Sequence, residues 1–462
     1  MTSLHYLGAI IVLVLITAMG IYSGKKVSSA GDFATGSKKA GVSIVAGSII
    51  GTLVGGASTI GTAQLAFNYG FSAWWFTLGG GIGCLILGLN FAKPLYTSGI
   101  STLPQVFSRE YGKNSSTIST VLMSIGSFLS IVAQILSGIA LITSVSHLSP
   151  KLATVLIVLL MLAYVIFGGV WGTGLVGIVK TILLYGTVII CGVVAINLGG
   201  GIGTFREILP GHFNLFARGF MIDIGAGISL VLGVITTQAY IQAVISAKTL
   251  KISKQGALLS AVLIPIVGIA GIFVGMYMKM TNPQLDPSLA LPTFVMEQLP
   301  PVIAGMIMAT LLVALVGTGA GVALGLSSMI CNDIYKVYIN KNPDDKTSLK
   351  VARITILIIL VGAALFTTGN LGSLILGWSF MSMGLRGAVA FAPLCCALFM
   401  PGKIDKKYAI VAIILGPALV LVGKFILPST IDPLFLGVLA SMLVMFIGYI
   451  LGKKEHKEAN HI

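Results

Sequence analysis

Residues 47–61 read GSIIGTLVGGASTIG, a stretch with five glycines and four hydroxyl side chains in fifteen positions. It lies inside an apolar run, residues 42–69, that is long enough to cross a lipid bilayer as a helix. A membrane helix of this composition can break at mid-depth, which frees carbonyl and amide groups to coordinate ions or polar groups. Small residues also let helices pack closely, so the composition alone leaves both roles open.

Apolar runs of this kind make up most of the chain. Only 9% of the 462 residues are charged, and the mean hydropathy is +1.02. Because a lipid-exposed backbone must satisfy its own hydrogen bonds, and the sequence has no alternating strand pattern, each run is predicted to be a helix. The sequence thus predicts an all-α polytopic membrane protein with about thirteen transmembrane helices. The predicted spans are 5–24, 42–69, 72–95, 116–146, 150–168, 172–197, 219–245, 256–278, 301–335, 350–369, 371–399, 406–426 and 432–452.

The Lys and Arg residues are distributed unequally between the two sides of this topology. When alternate loops are assigned to alternate sides, 21 of the 28 fall on one side, 5 on the other, and 2, Lys180 and Arg386, inside spans. The positive-inside rule makes the rich side cytoplasmic, so the N-terminus is predicted outside and the C-terminus inside, in a multi-pass protein of the cell membrane. The net charge of +15 then reflects topology and contact with anionic lipid headgroups, and nucleic-acid binding is not indicated.

Residues that would support catalysis do not occur in a useful pattern. The five cysteines lie in or beside apolar spans without a CxxC pair, and the five histidines lie at span ends, in a loop or in the tail. We therefore predict no metal site, no disulfide framework and no nucleophile–histidine–acid arrangement, and no GxxxxGK[ST] motif indicates ATP hydrolysis. The sequence predicts no enzyme and no cofactor. It favours passive or ion-coupled movement of a solute, with sodium or a proton as the possible coupling ion.

Two other classes of membrane protein fit less well. A channel would need a continuous polar pore lining, which the sparse polar positions do not supply. A solute sensor would keep a binding site and add a signalling domain, whereas the chain ends soon after the last span with a short charged tail, residues 453–457. Transport is therefore the preferred prediction, and a solute sensor is the alternative from another class.

Several short motifs, in order along the chain, resemble those of the sodium/solute symporter family. They are GDFATGSK at 31–38, TLPQVFSREYG at 102–112, the glycine pair at 168–169, AKT at 247–249, LP at 291–292, the segment 317–328 and NDIY at 332–335. The resemblance covers roughly residues 30–400. It implies a leucine-transporter-like core of two inverted five-helix repeats, 40–200 (spans 2–6) and 215–400 (spans 7–11). A peripheral first helix at 1–30 and two peripheral spans with a tail at 405–462 would flank this core.

In the repeats, glycine-rich first helices are the ones expected to break. The counterpart of the span 42–69 is the span 219–245, which carries Gly225, Gly227 and Gly233. Both are glycine-interrupted, as binding-site helices of such transporters are.

The resemblance also implies a sodium site, made of carbonyls in span 2 and of a carbonyl plus two adjacent hydroxyls in span 9. The positions in this chain are the carbonyls of Gly51 and Val54, the carbonyl of Ala314, and Gly317 and Thr318 for the hydroxyl pair. One hydroxyl is missing because residue 317 is glycine. Gly177 stands where the family usually carries an aspartate that assists sodium. Lys180 follows, about 12 Å inside its span at ~1.5 Å per residue.

These three departures suggest that the Lys180 ammonium replaces the sodium ion. A cation already present repels a second one and needs no aspartate. Sodium-independent amino-acid transporters that resemble this fold carry the same replacement. The alternatives are that Lys180 snorkels to the cytoplasmic interface, or that sodium binds a rearranged site. With the ammonium in the site, either proton coupling or a fixed charge in a uniporter or exchanger is open.

Arg386 lies near the middle of the span 371–399. A buried arginine stays charged and needs an anion, which could be Asp223, helix carbonyls, or the carboxylate of a transported organic acid or amino acid. Other polar side chains predicted to face the central cavity and bind solute are Ser58, Thr59, Gln64, Gln134 and Gln238. Each of these alone would also fit a helix-packing contact.

Taken together, the sequence predicts a secondary transporter that moves a small polar organic solute by alternating access. A carboxylate or an amino acid is the favoured solute, and the favoured mode is sodium-independent or proton-coupled. The expected partners are the solute and the lipid bilayer, with no obligatory protein partner.

Overall fold

The computed structural model describes residues 2–24, 39–146 and 148–459, and within them it describes the backbone but not the side chains of 20–24, 166–176 and 452–459. In these ranges the chain is helical, with a single parallel bridge between Ala40 and Ala247. The predicted all-α class is therefore confirmed. The motif at 31–38 lies outside the described residues, and the side chains of the tail 453–457 are likewise not described.

The helices follow the apolar runs closely. The α-helices are α1 (Ser3–Gly24), α2 (Val42–Leu53), α3 (Thr62–Tyr69), α4 (Trp75–Ile86), α5 (Ala92–Thr97), α6 (Pro104–Tyr111), α7 (Lys113–Val145), α8 (Pro150–Leu198), α9 (Ile202–Ile208), α10 (Phe220–Thr236), α11 (Gln238–Ile245), α12 (Leu250–Thr281), α13 (Ala290–Gln298), α14 (Pro301–Met329), α15 (Asp345–Thr368), α16 (Ile375–Phe399), α17 (Lys406–Ile426) and α18 (Leu434–Ala459). Segments of π-helix cover Ala57–Gly61, Leu87–Phe91 and Ile330–Ile339, and 3₁₀ turns cover Gly70–Trp74, Pro210–Phe213 and Pro287–Leu289.

The predicted count of thirteen membrane crossings is not confirmed by the length and apolar character of the described helices alone. In the described ranges, nine helical segments are long and apolar enough to cross a bilayer, or ten if the bent pair α10–α11 counts as one crossing. Three predicted spans are represented by shorter apolar helices, Ser3–Met19, Val42–Leu53 and Pro150–Val165. The first part of the predicted span 42–69 is short because that span is broken, and its second part continues helically into the next span.

The glycine pair at residues 168–169, which separates the predicted spans 150–168 and 172–197, does not end a helix, because α8 runs from Pro150 to Leu198. The positions of Tyr164 and Lys180 show that α8 is nevertheless not straight, because both side chains lie beside Gly317 of α14. A β-carbon on Gly317 would lie 3.2 Å from the Tyr164 hydroxyl and 3.6 Å from Lys180 Nζ. In a straight helix these two residues would be about 24 Å apart, which is too far for both side chains to reach one point. The helix therefore bends between them, in the stretch that contains the glycine pair.

Burial separates an inner group of helices from an outer one. The apolar stretches of α7, α14 and α16 are mostly buried inside the protein. Those of α15 and α18 are mostly exposed, with large apolar side chains such as Leu365 and Phe446 on the outer surface. Exposed apolar side chains of this kind are what lipid contact requires. Helix α2 packs on α8 and α14, and α16 packs on α7 and α10. These contacts bring the predicted site residues of distant segments together.

Candidate functional site

The first half of the site is a break in the glycine-rich segment. Helix α2 ends at Leu53, and Val54 is extended, with φ −90° and ψ 100°. The break frees the amides of Gly55 and Gly56, which donate to Ser58 Oγ at 2.9 Å and to Gln134 Oε1 at 2.8 Å. The break predicted for this span is therefore confirmed. Its amides are satisfied by side chains, which is what buried backbone groups require.

The side chain of Lys180 fills the space beside this break. Its Nζ donates to the carbonyl oxygens of Gly51 at 2.5 Å and Ala314 at 2.7 Å, and to Thr318 Oγ1 at 2.9 Å. The residue is 1% exposed, so it does not snorkel to an interface. An ammonium has three donors, and each one has an oxygen partner. The charge is thus solvated by the protein, by one side-chain and two main-chain oxygens.

The remaining carbonyl of the predicted set, that of Val54, does not contact the ammonium directly. It lies 3.3 Å from the hydroxyl of Thr318, which is also 3.2 Å from the Gly51 carbonyl. Thr318 therefore links the two freed carbonyls of the break to Lys180. A second cation about 4 Å away would be repelled by roughly 4 kcal/mol at an effective dielectric constant near 20. The arrangement disfavours a sodium ion while the ammonium is charged.

The two glycines that depart from the family pattern have different surroundings. Gly317 faces Tyr164 and Lys180, and a β-carbon there would be tight against Tyr164 alone, 3.2 Å from its hydroxyl oxygen and 3.3 Å from Cζ. Gly177 is different, because a β-carbon there would overlap the carbonyl oxygen of Gly47 on α2. The absence of a carboxylate at 177 thus has a packing consequence that the sequence did not indicate. Without a side chain, α8 approaches α2 closely enough for Lys180 to reach Gly51.

Five of the predicted solute-binding side chains hydrogen-bond to the protein backbone. Ser58 and Thr59 donate to the carbonyl of Gly55 at 3.0 and 2.8 Å, and Gln134 holds the amide of Gly56. Gln64 accepts from the amide of Ile375, the first residue of α16, at 3.0 Å. Gln238 accepts from the Leu103 amide at 2.8 Å and donates to the Ser101 carbonyl at 3.0 Å. All five are buried, and these contacts fix the broken helices and their neighbours.

The predicted interruption of the span 219–245 is confirmed. Helices α10 and α11 meet at 47° around Thr237, which is extended, with φ −85° and ψ 120°. The glycines at 225, 227 and 233 lie inside the regular helix α10, and the break falls four residues after the last of them. They serve close packing instead: a β-carbon on Gly233 would lie 2.5 Å from Met383, and one on Gly227 would lie 2.6 Å from Trp75.

Arg386 lies on α16 beside this second break. Its Nε and Nη2 donate to the carbonyl oxygen and the hydroxyl of Ser382 at 3.1 and 2.9 Å, and Nη2 also lies 3.1 Å from Met383 Sδ. Asp223, one predicted partner, instead forms an ion pair with Arg218 at 2.6 Å and accepts from Ser72 at 2.6 Å. The predicted Arg386–Asp223 pair is therefore not formed. Arg386 Nη1 has no hydrogen-bond partner in the described part of the chain.

The structure adds polar groups that were not predicted as site residues. Asp333, in the NDIY motif, is buried and accepts from Thr102 at 2.8 Å, while its Oδ2 has no partner in the described ranges. A small cavity next to the Lys180 site is lined by Ser48, Thr52 and Gln242, among others. Their spacing offered one signal, since positions 48 and 52 are four residues apart and share a face of α2.

Comparisons with known proteins agree with this architecture. Residues 33–416 match the model of the sodium:solute symporter family. The chain is 24% identical to the osmoregulated proline transporter of Bacillus subtilis, across 94% of this chain and 93% of that protein. It is 22% identical to the human high affinity choline transporter 1, across 86% and 73%.

Among solved structures, a Na⁺-coupled sialic acid symporter in a substrate-bound outward-open state superposes with a TM-score of 0.84 at 19% identity, over 98% of both chains. This likeness shows the leucine-transporter-like fold. The family match covers most of the chain, and the proteins it resembles are transporters rather than enzymes. The chain is a polytopic membrane protein that belongs to the sodium:solute symporter family of secondary transporters.

Proposed function

We propose that this transporter moves a small polar organic solute by alternating access without binding sodium, with the Lys180 ammonium acting as a resident cation. The observation that carries the proposal is the set of three hydrogen bonds from Lys180 Nζ to Gly51, Ala314 and Thr318. These oxygens belong to the same positions that the family resemblance assigns to sodium. An ammonium and a sodium ion both require several oxygen ligands, and they cannot share one site.

The ammonium would couple the two halves of the transporter. In our proposal the repeats 40–200 and 215–400 rock against each other, and α2 belongs to the first and α14 to the second. Lys180 hydrogen-bonds to both helices. Breaking these bonds, by proton loss or by movement of α14, would then accompany the change of state. Proton coupling and a fixed charge in a uniporter or exchanger are the two modes this permits.

The solute we propose is an organic acid or an amino acid. Proline and sialic acid, named for two of the similar proteins, are both carboxylic acids. The buried guanidinium of Arg386 has no acidic partner in the described chain, which supports an anionic group on the solute. Choline, named for another relative, is a cation and matches this surrounding less well. We further propose that the protein lies in the cell membrane with its N-terminus outside and its C-terminus in the cytoplasm.

A sodium symporter with a rearranged site is the second candidate. The observation in its favour is that Thr318 also lies within hydrogen-bond distance of both Gly51 and Val54 carbonyls. If Lys180 moved away, four protein oxygens would remain close together, the kind of ligand set a hard cation prefers.

Uptake into proteoliposomes separates the two candidates. Purified full-length protein would be reconstituted and tested with radiolabelled amino acids and organic acids, with sodium, potassium or choline as the only external cation. We expect the same initial rate with each cation, and an imposed proton gradient then distinguishes proton coupling from uniport. A steep, saturable dependence on sodium would reject the proposal in favour of the sodium symporter.

A further inference from the structure

The guanidinium of Arg386 is held in position without being neutralised. The residue is 1% exposed and is among the largest fully buried side chains of the protein. Its hydrogen bonds go to Ser382 and Met383, both on its own helix, and none of these partners carries a charge. In the described ranges, the acidic residue that forms an ion pair, Asp223, is bound to Arg218. A buried arginine stays charged, so an anion is missing from this environment.

Helix α7 leaves room for the side chain of Arg386 where the two are in contact. A β-carbon on Gly126 of α7 would lie 2.7 Å from Cγ of Arg386, so the bare backbone there leaves room for the arginine stem. The carbonyl of Gly126 accepts from Ser382 Oγ at 2.6 Å, and that hydroxyl in turn accepts from Nη2 at 2.9 Å. One side of the guanidinium is thus fixed by contacts with α16 and, through Ser382, with α7. Its Nη1 remains a buried donor with nothing to bind among the described residues.

The amino end of α11 lies close to the same guanidinium. Met383 Sδ is 3.1 Å from Arg386 Nη2 and 3.9 Å from Thr237 Oγ1, so those two atoms are at most about 7 Å apart. Helix α11 begins directly after Thr237, and no side chain caps it. Its first amides and its helix dipole favour negative charge. The side chain of Gln238 is engaged with the 101–103 loop and does not occupy this end.

We propose that Arg386 Nη1 and the amino end of α11 together bind the carboxylate of the transported solute. This inference rests on the proposed function as a transporter of organic acids or amino acids. A carboxylate has two oxygens in one plane, which suits one contact to Nη1 and one to a helix amide. Its single charge balances the single guanidinium. A phosphate dianion would leave a second buried charge without a partner, so a monoanion is the better match.

The test is a binding measurement that does not depend on transport. Thermal unfolding of the purified full-length protein would be followed with L-proline against L-prolinamide, N-acetylneuraminic acid against its methyl ester, and acetate against acetamide. At least one acid should raise the Tm of wild-type protein more than its neutralised form does. In Arg386→Met this acid-specific rise should be lost. In Arg386→Lys the affinity should fall by on the order of tenfold to a hundredfold, as for a lost charge-assisted hydrogen bond.

A structural role for Arg386 predicts different behaviour. Without ligand, Arg386→Met should have a Tm equal to or above that of wild type, because it removes an uncompensated buried charge. The exposed Arg206 provides the matched control, and Arg206→Met should keep the acid-specific rise. A lower Tm for ligand-free Arg386→Met together with an unchanged response to acids would overturn the inference.

Other outcomes separate this inference from the proposed function. A Tm rise with chloride or phosphate in place of the acids, or no acid that outperforms its neutral form, would also overturn it. Acid binding that needs Arg386 in a protein whose uptake requires sodium would reject sodium independence and leave the carboxylate site standing. Sodium-independent uptake of solutes without a carboxyl group would reject the carboxylate site and leave sodium independence standing.

Discussion

Lys180 and Thr318, on helices α8 and α14, lie 2.9 Å apart and bind the same carbonyl oxygen, that of Gly51, at 2.5 and 3.2 Å. These contacts connect α2, α8 and α14 at one buried point beside the break after α2. Because an ammonium and a hydroxyl share a main-chain acceptor there, removing either side chain leaves buried oxygen atoms with fewer donors.

Removing the charge at position 180 should abolish solute uptake. Lys180→Ala and Lys180→Met lose the link between α2 and α14, yet an uncharged residue is less costly in the membrane interior, so both variants should insert and fold. Lys180→Arg should also fail, because a planar guanidinium does not fit a compact site. Uptake in proteoliposomes and gel filtration of the same samples provide the measurements. Lys151→Ala, at an exposed lysine, is the control, and normal uptake by Lys180→Ala would refute the role of the ammonium.

Restoring a hydroxyl while removing the ammonium should create sodium dependence. The double variant Gly317→Ser with Lys180→Gln supplies the missing family hydroxyl beside Thr318. The β-carbon of a residue at 317 would lie 3.2 Å from the Tyr164 hydroxyl, a contact that a small shift relieves. We expect sodium to raise uptake or the Tm of the double variant and to leave wild type unchanged. Gly317→Ser alone is the control, since it keeps the Lys180 ammonium in the site. A double variant whose uptake and Tm do not change with sodium would contradict the prediction.

Any side chain at position 177 should destabilise the protein. A β-carbon there overlaps the carbonyl oxygen of Gly47, so Gly177→Ala forces α8 away from α2, at a cost of roughly 1–3 kcal/mol for overpacking. The expected result is a lower Tm in detergent and reduced uptake. Gly186 lies on the same helix with no atom within 4 Å of its β-carbon position, which makes Gly186→Ala the matched control. That control should be neutral or slightly stabilising, because alanine favours a helix over glycine. Equal Tm values for the two variants would argue against the close contact.

The loop before α10 should make stability depend on pH through His212. Its Nε2 lies 3.3 Å from the carbonyl of Phe67, and burial, with a further contribution from Lys279, lowers the pKa of His212 below its usual range. A histidine whose pKa is lowered by folding favours the neutral form, so its contribution is present at neutral pH and is lost as pH falls through the unfolded-state pKa near 6.5. The Tm should therefore fall more between pH 7.5 and about pH 5.5 in wild type than in His212→Gln. Parallel curves for the two proteins would exclude this residue as the cause.

Local properties of the sequence determined the membrane class, the helical fold and the first break. Hydropathy and glycine content act over neighbouring residues, so the apolar runs predicted most helices, and the glycine-rich stretch 47–61 indicated that the span 42–69 opens. Motif order was enough to identify the family. Counting residues also predicted that Lys180 lies well inside its span, and the side chain is buried.

Only the tertiary structure decided which groups meet. Lys180 reaches carbonyl oxygens 129 and 134 residues away in sequence, and Asp223 pairs with Arg218 instead of Arg386. The second break falls at Thr237, and the glycines at 227 and 233 of α10 allow close packing against Trp75 and Met383. The predicted solute-binding glutamines bind backbone groups freed at the breaks and in nearby loops. Partners of this kind depend on contacts between distant segments, which composition and spacing do not encode.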